Sequence, residues 1–482
     1  MDINSKAYED FLNMEQNAAP FIPGFKLKDG INVWPHLRIC YFGDFYLGCE
    51  SYLKNNLGFH PGIECPAFDL PPSFYKQLTT LTQPDVLIFS DLACHVEDID
   101  GKKYDPYLDP LISEISRQGM RPLKLSLYLG GELPETFVPT IILPIVTIKN
   151  HVIYYTSLPD IPGYEAYFHM CVKQNVFPIH RVSVLQSHAR VNAYAELFTK
   201  ILDMIKPRIV ILQEYYNYRA MGMAQACYQL KIPCVEYQHG VQDWPHLPYN
   251  FQWMPERGYE VVPEWFFMWG ECAADDMRER CKNQHFHKVA VTGKPNYCAW
   301  RHGELQDDPD VLAHFLRKIE GKIPICVALP LWVDDKKFDA FRRMLAQAPL
   351  NWIWLFRKHP LYPSSESQFV SEYSYKIESD FCSKLNLHTV LKYSVHLFTG
   401  MSSCTLEAIA LHNMEVTCIH EDSQLYFKKE MISGEVRYAE LTDDMLKSVS
   451  IGIKHYPCQN KNAYITQDIS LFGKTLRNIL TY

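Results

Sequence analysis

The run Phe398–Val416, FTGMSSCTLEAIALHNMEV, sets a glycine and two serines between an apolar strand and a helix. Unpaired backbone N–H groups at such a helix start, aligned with the helix dipole, favour an anion. The strand runs into Gly400, and Ser402, Ser403 and Thr405 add hydroxyl donors, which together make a phosphate cradle. Glu407, in the first turns of the helix, is placed to accept bonds from ribose hydroxyls. The plain alternative is a serine N-cap followed by ordinary helix-start acids. The joint pattern Thr-Gly-x-Ser-Ser-x-Thr-x-Glu after a strand favours phosphate.

Three other strand ends carry chemistry. Phe356–Pro360, FRKHP, gathers Arg357, Lys358 and His359. Side chains alternate along a strand, so one or two of these face a given cleft. A histidine there can donate to a phosphate as charge develops on it; for Arg357 and Lys358 a solvated basic turn is the alternative. Glu236–Gly240, EYQHG, ends in His239, which can orient a ligand or move a proton, and in Gly240, which tolerates close contact. Glu214 ends the preceding strand. Neighbouring parallel strands would bring Glu214 and His239 to one cleft, although a structural histidine is the plain alternative. The turn Thr292-Gly293-Lys294-Pro295 offers Lys294 to a phosphate. Asp98-Ile99-Asp100 and Asp334-Asp335 have the look of metal ligands, but both sit in highly charged turns that read as solvated faces, so no metal is assigned. The GxxxxGKS, GxGxxG and GxSxG patterns are all missing, which leaves kinase, nicotinamide and hydrolase-elbow chemistry without support.

These motifs need a scaffold that ends strands at one edge. Short apolar runs alternate with helical stretches, the signature of α/β architecture. Expected strands are Arg38–Phe42, Val86–Phe89, Leu123–Leu129, Ile141–Ile148, Ile209–Leu212, Cys234–Tyr237, Trp265–Gly270 and Lys288–Val291 in the first half. In the second half they are Ile325–Leu329, Asn351–Phe356, Val395–Phe398 and Val416–Ile419. Helices are expected over Ser183–Ile205, Ala220–Leu230, Lys336–Ala346 and Thr405–Leu411. The pattern predicts two doubly wound, Rossmann-like domains facing a cleft, with ligands at the carboxyl ends of their strands. Their expected spans are 1–295, a linker at 296–310, and 311–465. A terminal helix at 466–482 is expected to cross back to the first domain.

The 482 residues are 47% hydrophobic and 21% charged, enough for a sizeable core and inconsistent with disorder or a small disulfide scaffold. A net charge of −8 provides no whole-domain basic footprint for nucleic acid. Fifteen cysteines, an odd number with no CxxC pair, read as reduced thiols. The N-terminal stretch has no apolar signal segment, and Phe137–Ile148, interrupted by Pro139 and Pro144, is too short to span a bilayer. A cytoplasmic protein is expected.

QHG at one strand end, HP at another and a TGxSS turn leading to a glutamate resemble GT-B-fold glycosyltransferases of bacterial surface polysaccharides. The flavour is that of the CMP-sugar group: β-Kdo transferases and sialyl- or polysialyltransferases. The resemblance is clearest over Ile209–Ile419. It implies transfer of a sugar, such as Kdo or sialic acid, from a CMP donor onto a growing capsule or lipopolysaccharide glycan. It implies no cofactor beyond the nucleotide-sugar co-substrate, a glycan or glycolipid acceptor, and peripheral contact with the inner membrane face. His359 would contact the donor phosphate; Lys358 and Lys294 are further phosphate candidates from their own turns. Ser402 and Ser403 would hold phosphate or the sugar carboxylate, and Glu407 the ribose. His239 would face the reacting centre. The D/E-D/E-G acidic motif of the sialyltransferases is not evident, so Glu214 and Asp243 stand as candidates for base or nucleophile. Metal-independent transfer follows from this set of phosphate partners. A CDP-glycerol-type phosphotransferase, a nucleotide-sugar epimerase and a catalytically silent scaffold of a polysaccharide assembly complex are the alternatives.

Overall fold

The computed structural model describes residues 5–43, 62–91, 97–99, 101–128, 133–144, 147–154, 158–174, 176, 178–242, 246–328, 335–357, 372–440, 442, 444–453, 461–468 and 470–481. Strands β1 (Gly62–Asp69), β2 (Val86–Asp91), β3 (Glu97–Ile99), β4 (Lys102–Tyr104), β5 (Pro122–Tyr128) and β6 (Thr140–Pro144) come first. They are followed by β7 (Thr147–Tyr154), β8 (Ile209–Leu212), β9 (Cys234–Tyr237), β10 (Trp265–Met268) and β11 (Lys288–Val291). The second half supplies β12 (Ile323–Ala328), β13 (Trp352–Arg357), β14 (Ile377–Glu378), β15 (His396–Thr399), β16 (Val416–Cys418) and β17 (Val436–Tyr438).

The first large sheet has the order β11-β10-β9-β8-β2-β5-β6 and is parallel throughout. The second, β14-β13-β12-β15-β16-β17, is also parallel. Each starts in the middle, winds outward to one edge, then returns to wind the other way. The reversal falls between β2 and β8 in one sheet and between β12 and β15 in the other. In such sheets the ligand crevice lies outside the carboxyl ends at the reversal. Glu214 follows β8, and Gly400 follows β15.

Parallel strands covered on both faces read as continuous apolar runs, and β8, with sequence IVIL, is buried at every position. The helix Tyr218–Leu230 begins where Asn217 Oδ1 accepts the N–H groups of Arg219 and Ala220, at 3.1 and 2.9 Å. It ends at Lys231 in the left-handed region. It packs against the long helix Arg181–Ile205 so closely that a Cβ on Gly222 would lie 2.5 Å from that of Tyr194. One apolar cluster includes Ile209, Val235 and Phe267 of the first sheet, Leu355, Leu397 and Val416 of the second, and Phe472 and Leu476 of the helix Ser470–Thr481.

Two expected strands change, and the span between the sheets carries helix. The run Arg38–Phe42, expected as a strand, belongs to the helix Trp34–Tyr41 and the residue after it. A short apolar run fits either element; Pro35 in the first turn decides for helix. There Arg38 is buried, ion-paired to Glu15, and lies 4.3 Å over the Phe251 ring. The expected strand Ile141–Ile148 divides into β6, parallel to β5, and β7, antiparallel to β1. The span 296–310, expected as a linker, opens inside the helix Pro295–Arg301 and closes at the start of Pro309–Ile319, whose N-cap is Asp308. Beyond 465, Thr466 N donates to Trp269 O at 2.8 Å, and Arg208 Nη2 to Leu480 O at 2.8 Å. All the described cysteines are free, and no described helix is long and apolar enough to cross a membrane.

Candidate active site

His239 stands in the turn after β9, nearly buried. Gln238 fastens that turn: its Nε2 donates to Gly240 O at 2.8 Å, and its Oε1 accepts Trp269 N at 2.6 Å. On one side His239 Nε2 lies 3.5 Å from Glu214 Oε1 and 3.3 Å from the Tyr216 hydroxyl. On the other, Nδ1 is 2.9 Å from Gln242 Nε2. Glu214 adopts φ 52°, a conformation that costs a non-glycine residue energy and is found where surroundings impose a position. Asn217 Nδ2 donates to its carbonyl at 2.8 Å, fixing the bend that turns the carboxylate toward His239. Behind the imidazole lies Glu236, fully buried, which accepts the Tyr249 hydroxyl and contacts Gln242 Nε2 at 3.3 Å. Burial raises the Glu236 carboxyl to about 8. Burial also lowers His246, whose ring lies 5.2 Å from that of Tyr216, to about 3, so it is neutral.

The turn after β15 meets this one. A Cβ built on Gly240 would be 3.9 Å from Ser403 Cβ, in van der Waals contact with the second sheet's turn. Ser403 caps the helix Cys404–His412 without a side-chain hydrogen bond to it. Ser402 Oγ accepts Cys404 N at 3.4 Å, and both serines remain partly exposed. Gly400 is buried, and so is Thr405, at 0% exposure. The Thr405 hydroxyl, expected in the phosphate cradle, is thus turned into the core.

Lys294 and Glu407 have each other as partners. Lys294 Nζ pairs with Glu407 Oε1, and both side chains are almost fully buried. This ion pair joins the turn after β11 to the helix after β15, and so joins the two sheets. His388 Nε2 approaches the same carboxylate oxygen at 3.5 Å. Burial first, then the Lys294 charge, holds His388 well below its ordinary value, hence neutral. The Lys294 ammonium lies 4.3 Å from the Trp269 ring and 5.5 Å from that of Tyr107. Tyr107 stacks on Trp269 at 6.3 Å and meets His239 edge-on at 6.5 Å. The expected phosphate role of Lys294 and ribose role of Glu407 therefore meet side chains already engaged.

Lys358, His359 and Asp243 lie outside the described residues. Arg357 Nη1 donates to Leu385 O and, at 3.2 Å, to Cys382 O. Among the described residues no cluster of three His, Cys, Asp or Glu side chains is arranged to hold a metal. The structure adds Tyr107, Tyr216, Gln242, Tyr249, Trp269 and His388 to the neighbourhood. Of these, Gln242 had a sequence signal, standing two residues past Gly240, and Trp269 another, ending the apolar run WFFMW.

No protein-family model and no curated protein matches the sequence. Solved structures do. The S. aureus MnaA–UDP co-structure is similar at 12% identity and a TM-score of 0.51, covering 82% of this chain and 95% of that one. UDP-GlcNAc 2-epimerase from Neisseria meningitidis, bound to UDP-GlcNAc, is similar at 12% identity and a TM-score of 0.50, covering 82% and 99%. The likeness is one of fold: the GT-B arrangement of two Rossmann-like sheets.

Proposed function

We propose that this chain is a glycosyltransferase that binds a nucleotide sugar between its two sheets and transfers the sugar to a glycan acceptor. The observation that carries the reading is the meeting of the turn after β9 with the turn after β15, the latter at the second sheet's reversal. Gly240 faces Ser403, and the His239–Glu214 pair stands directly behind. Nucleotide ligands in the MnaA–UDP and UDP-GlcNAc 2-epimerase structures of the same fold support it. The helix Cys404–His412 directs its N-terminus to the turn, where Ser402, Ser403 and the backbone at Gly400 would receive the donor phosphates. Lys358 and His359, which follow β13 in the sequence, would add positive charge as the leaving phosphate develops. With that neutralisation supplied by the chain, turnover is metal-independent and persists in chelator.

The acceptor hydroxyl needs a base if the enzyme inverts, and the sugar a nucleophile if it retains. Glu214 has the position for either role, with His239 Nε2 3.5 Å from its carboxylate; Asp243 is the other candidate acid. The finer assignment is an acidic sugar, Kdo or sialic acid, delivered from CMP onto a capsule or lipopolysaccharide glycan at the inner face of the membrane. It rests on the QHG, HP and SS motifs. The fold of UDP-GlcNAc 2-epimerase favours a second reading, a nucleotide-sugar epimerase. Mass spectrometry of the products separates the two. A transferase releases free nucleotide and adds a sugar to the acceptor, whereas an epimerase conserves the donor's mass. No change in any of CMP-Kdo, CMP-sialic acid, UDP-GlcNAc or CDP-glycerol overturns both.

A further inference from the structure

The buried groups behind His239 determine where its proton sits. Gln242 is 2% exposed, and its Nε2 faces three atoms: Tyr249 Oη at 2.8 Å, Glu236 Oε1 at 3.3 Å and His239 Nδ1 at 2.9 Å. The one proton of the Tyr249 hydroxyl is donated to Glu236 Oε1, so Tyr249 presents a lone pair to Gln242. Glu236 Oε1 presents another. A site facing two acceptors takes the amide NH₂ and rejects the amide oxygen. One N–H of Gln242 serves that acidic side, and the other points at His239 Nδ1.

We infer that Gln242 is a positioning residue: it makes Nδ1 an acceptor, holds neutral His239 as the Nε2–H tautomer, and so turns the ring proton toward Tyr216 and Glu214. The tautomer of a histidine is set by the partner of its other nitrogen, and here that partner is a donor. Nε2–H then meets Glu214 Oε1 at 3.5 Å and the Tyr216 oxygen at 3.3 Å. In this state Nε2 has no lone pair to accept a substrate proton. Proton acceptance falls to the Glu214 carboxylate, which lies 3.5 Å from Nε2, while the ring proton faces the Tyr216 oxygen at 3.3 Å. Burial raises the Glu236 carboxyl to about 8; where it is protonated, the proton belongs on Oε2, because Oε1 accepts from Tyr249 and Gln242.

The consequence for rate rests on the transferase reading; the tautomer does not. Full-length protein labelled with ¹⁵N-histidine, with H239Q as the assignment control, reports the protonation of each His239 nitrogen directly. The expected spectrum has a protonated Nε2 and an unprotonated Nδ1. In Q242E the new carboxylate accepts from Nδ1–H, the pattern inverts, and kcat falls by about 100-fold or more while donor KM changes little. A wild-type spectrum with the proton on Nδ1 overturns the inference, and so does a Q242E variant that keeps the wild-type pattern. If Q242E does not fold, the wild-type spectrum decides alone. A correct tautomer in a protein that transfers no sugar removes the transferase reading and leaves the tautomer assignment standing.

Discussion

Replacing Lys294 with methionine removes the positive partner from a carboxylate that the fold keeps from water. Glu407 is 3% exposed, and its remaining neighbour at that oxygen is neutral His388, 3.5 Å away. Breaking a buried pair by removing one member costs about 3–5 kcal/mol, because the other charge is left uncompensated. Methionine retains much of the apolar packing on Trp269, so the loss reports the charge more than the volume. At roughly 2–4 °C per kcal/mol for domains of ordinary size, Tm should fall by roughly 6–20 °C. The shift should persist in high salt, since ionic screening scarcely reaches a buried pair. Replacing both residues, K294M with E407L, should recover a large part of it, with a coupling of about 0.5–3 kcal/mol between the sites. Differential scanning calorimetry of wild type, both single variants and the double variant makes the comparison. A K294M protein melting within 2 °C of wild type, or a double variant that melts no higher than the singles, would refute the ion pair as a structural tie between the sheets.

Three further outcomes are expected. E214Q and H239Q should each lower kcat by about 10²–10⁴-fold while nucleotide affinity, read by calorimetry, stays near wild type; lost binding in both would move them out of the catalytic role. G270A should destabilise by about 1–3 kcal/mol and expose the segment after Lys461 to proteolysis, because the new methyl would lie 2.4 Å from the Tyr464 carbonyl; wild-type melting and wild-type digestion would contradict the close approach. Glu236 carries a folded-state pKa raised from 4.5 to about 8. Its contribution is full below the unfolded value and is lost as pH rises through about 8, so wild type should lose stability relative to E236Q between those limits. Parallel pH profiles of the two proteins would argue against a buried, protonated Glu236.

The sequence carried the outline of the fold because parallel strands buried on both faces must be short apolar runs, as β8, β9 and β15 are. It carried the strand-end turns for the same reason: histidine, glycine and serine interrupt those runs at His239, Gly240, Gly400 and Ser402. What it did not carry were partnerships between distant residues. Lys294 and Glu407 are 113 positions apart, and each taken alone has the look of a ligand group. Only the folded chain shows one neutralising the other. Thr405 has a polar side chain in a polar motif, yet helical geometry rotates it into the core. Arg38 lies amid apolar neighbours that suit a strand, and its pairing with Glu15 is set by tertiary packing. The histidine tautomer depends on Gln242, Tyr249 and Glu236 acting jointly, which spacing alone does not express.

Nucleotide binding at the Ser402–Ser403 turn is open to direct measurement by isothermal titration calorimetry of the full chain with CMP, UDP, GDP, CDP-glycerol and the corresponding nucleotide sugars. At least one nucleotide should bind saturably at one site per chain, with affinity reduced tenfold or more in S402A/S403A. At one hundred times its Kd it should raise stability by about 2.7 kcal/mol. No heat from any of these ligands, or binding that is indifferent to loss of both serines, would contradict a nucleotide-sugar site between the two sheets.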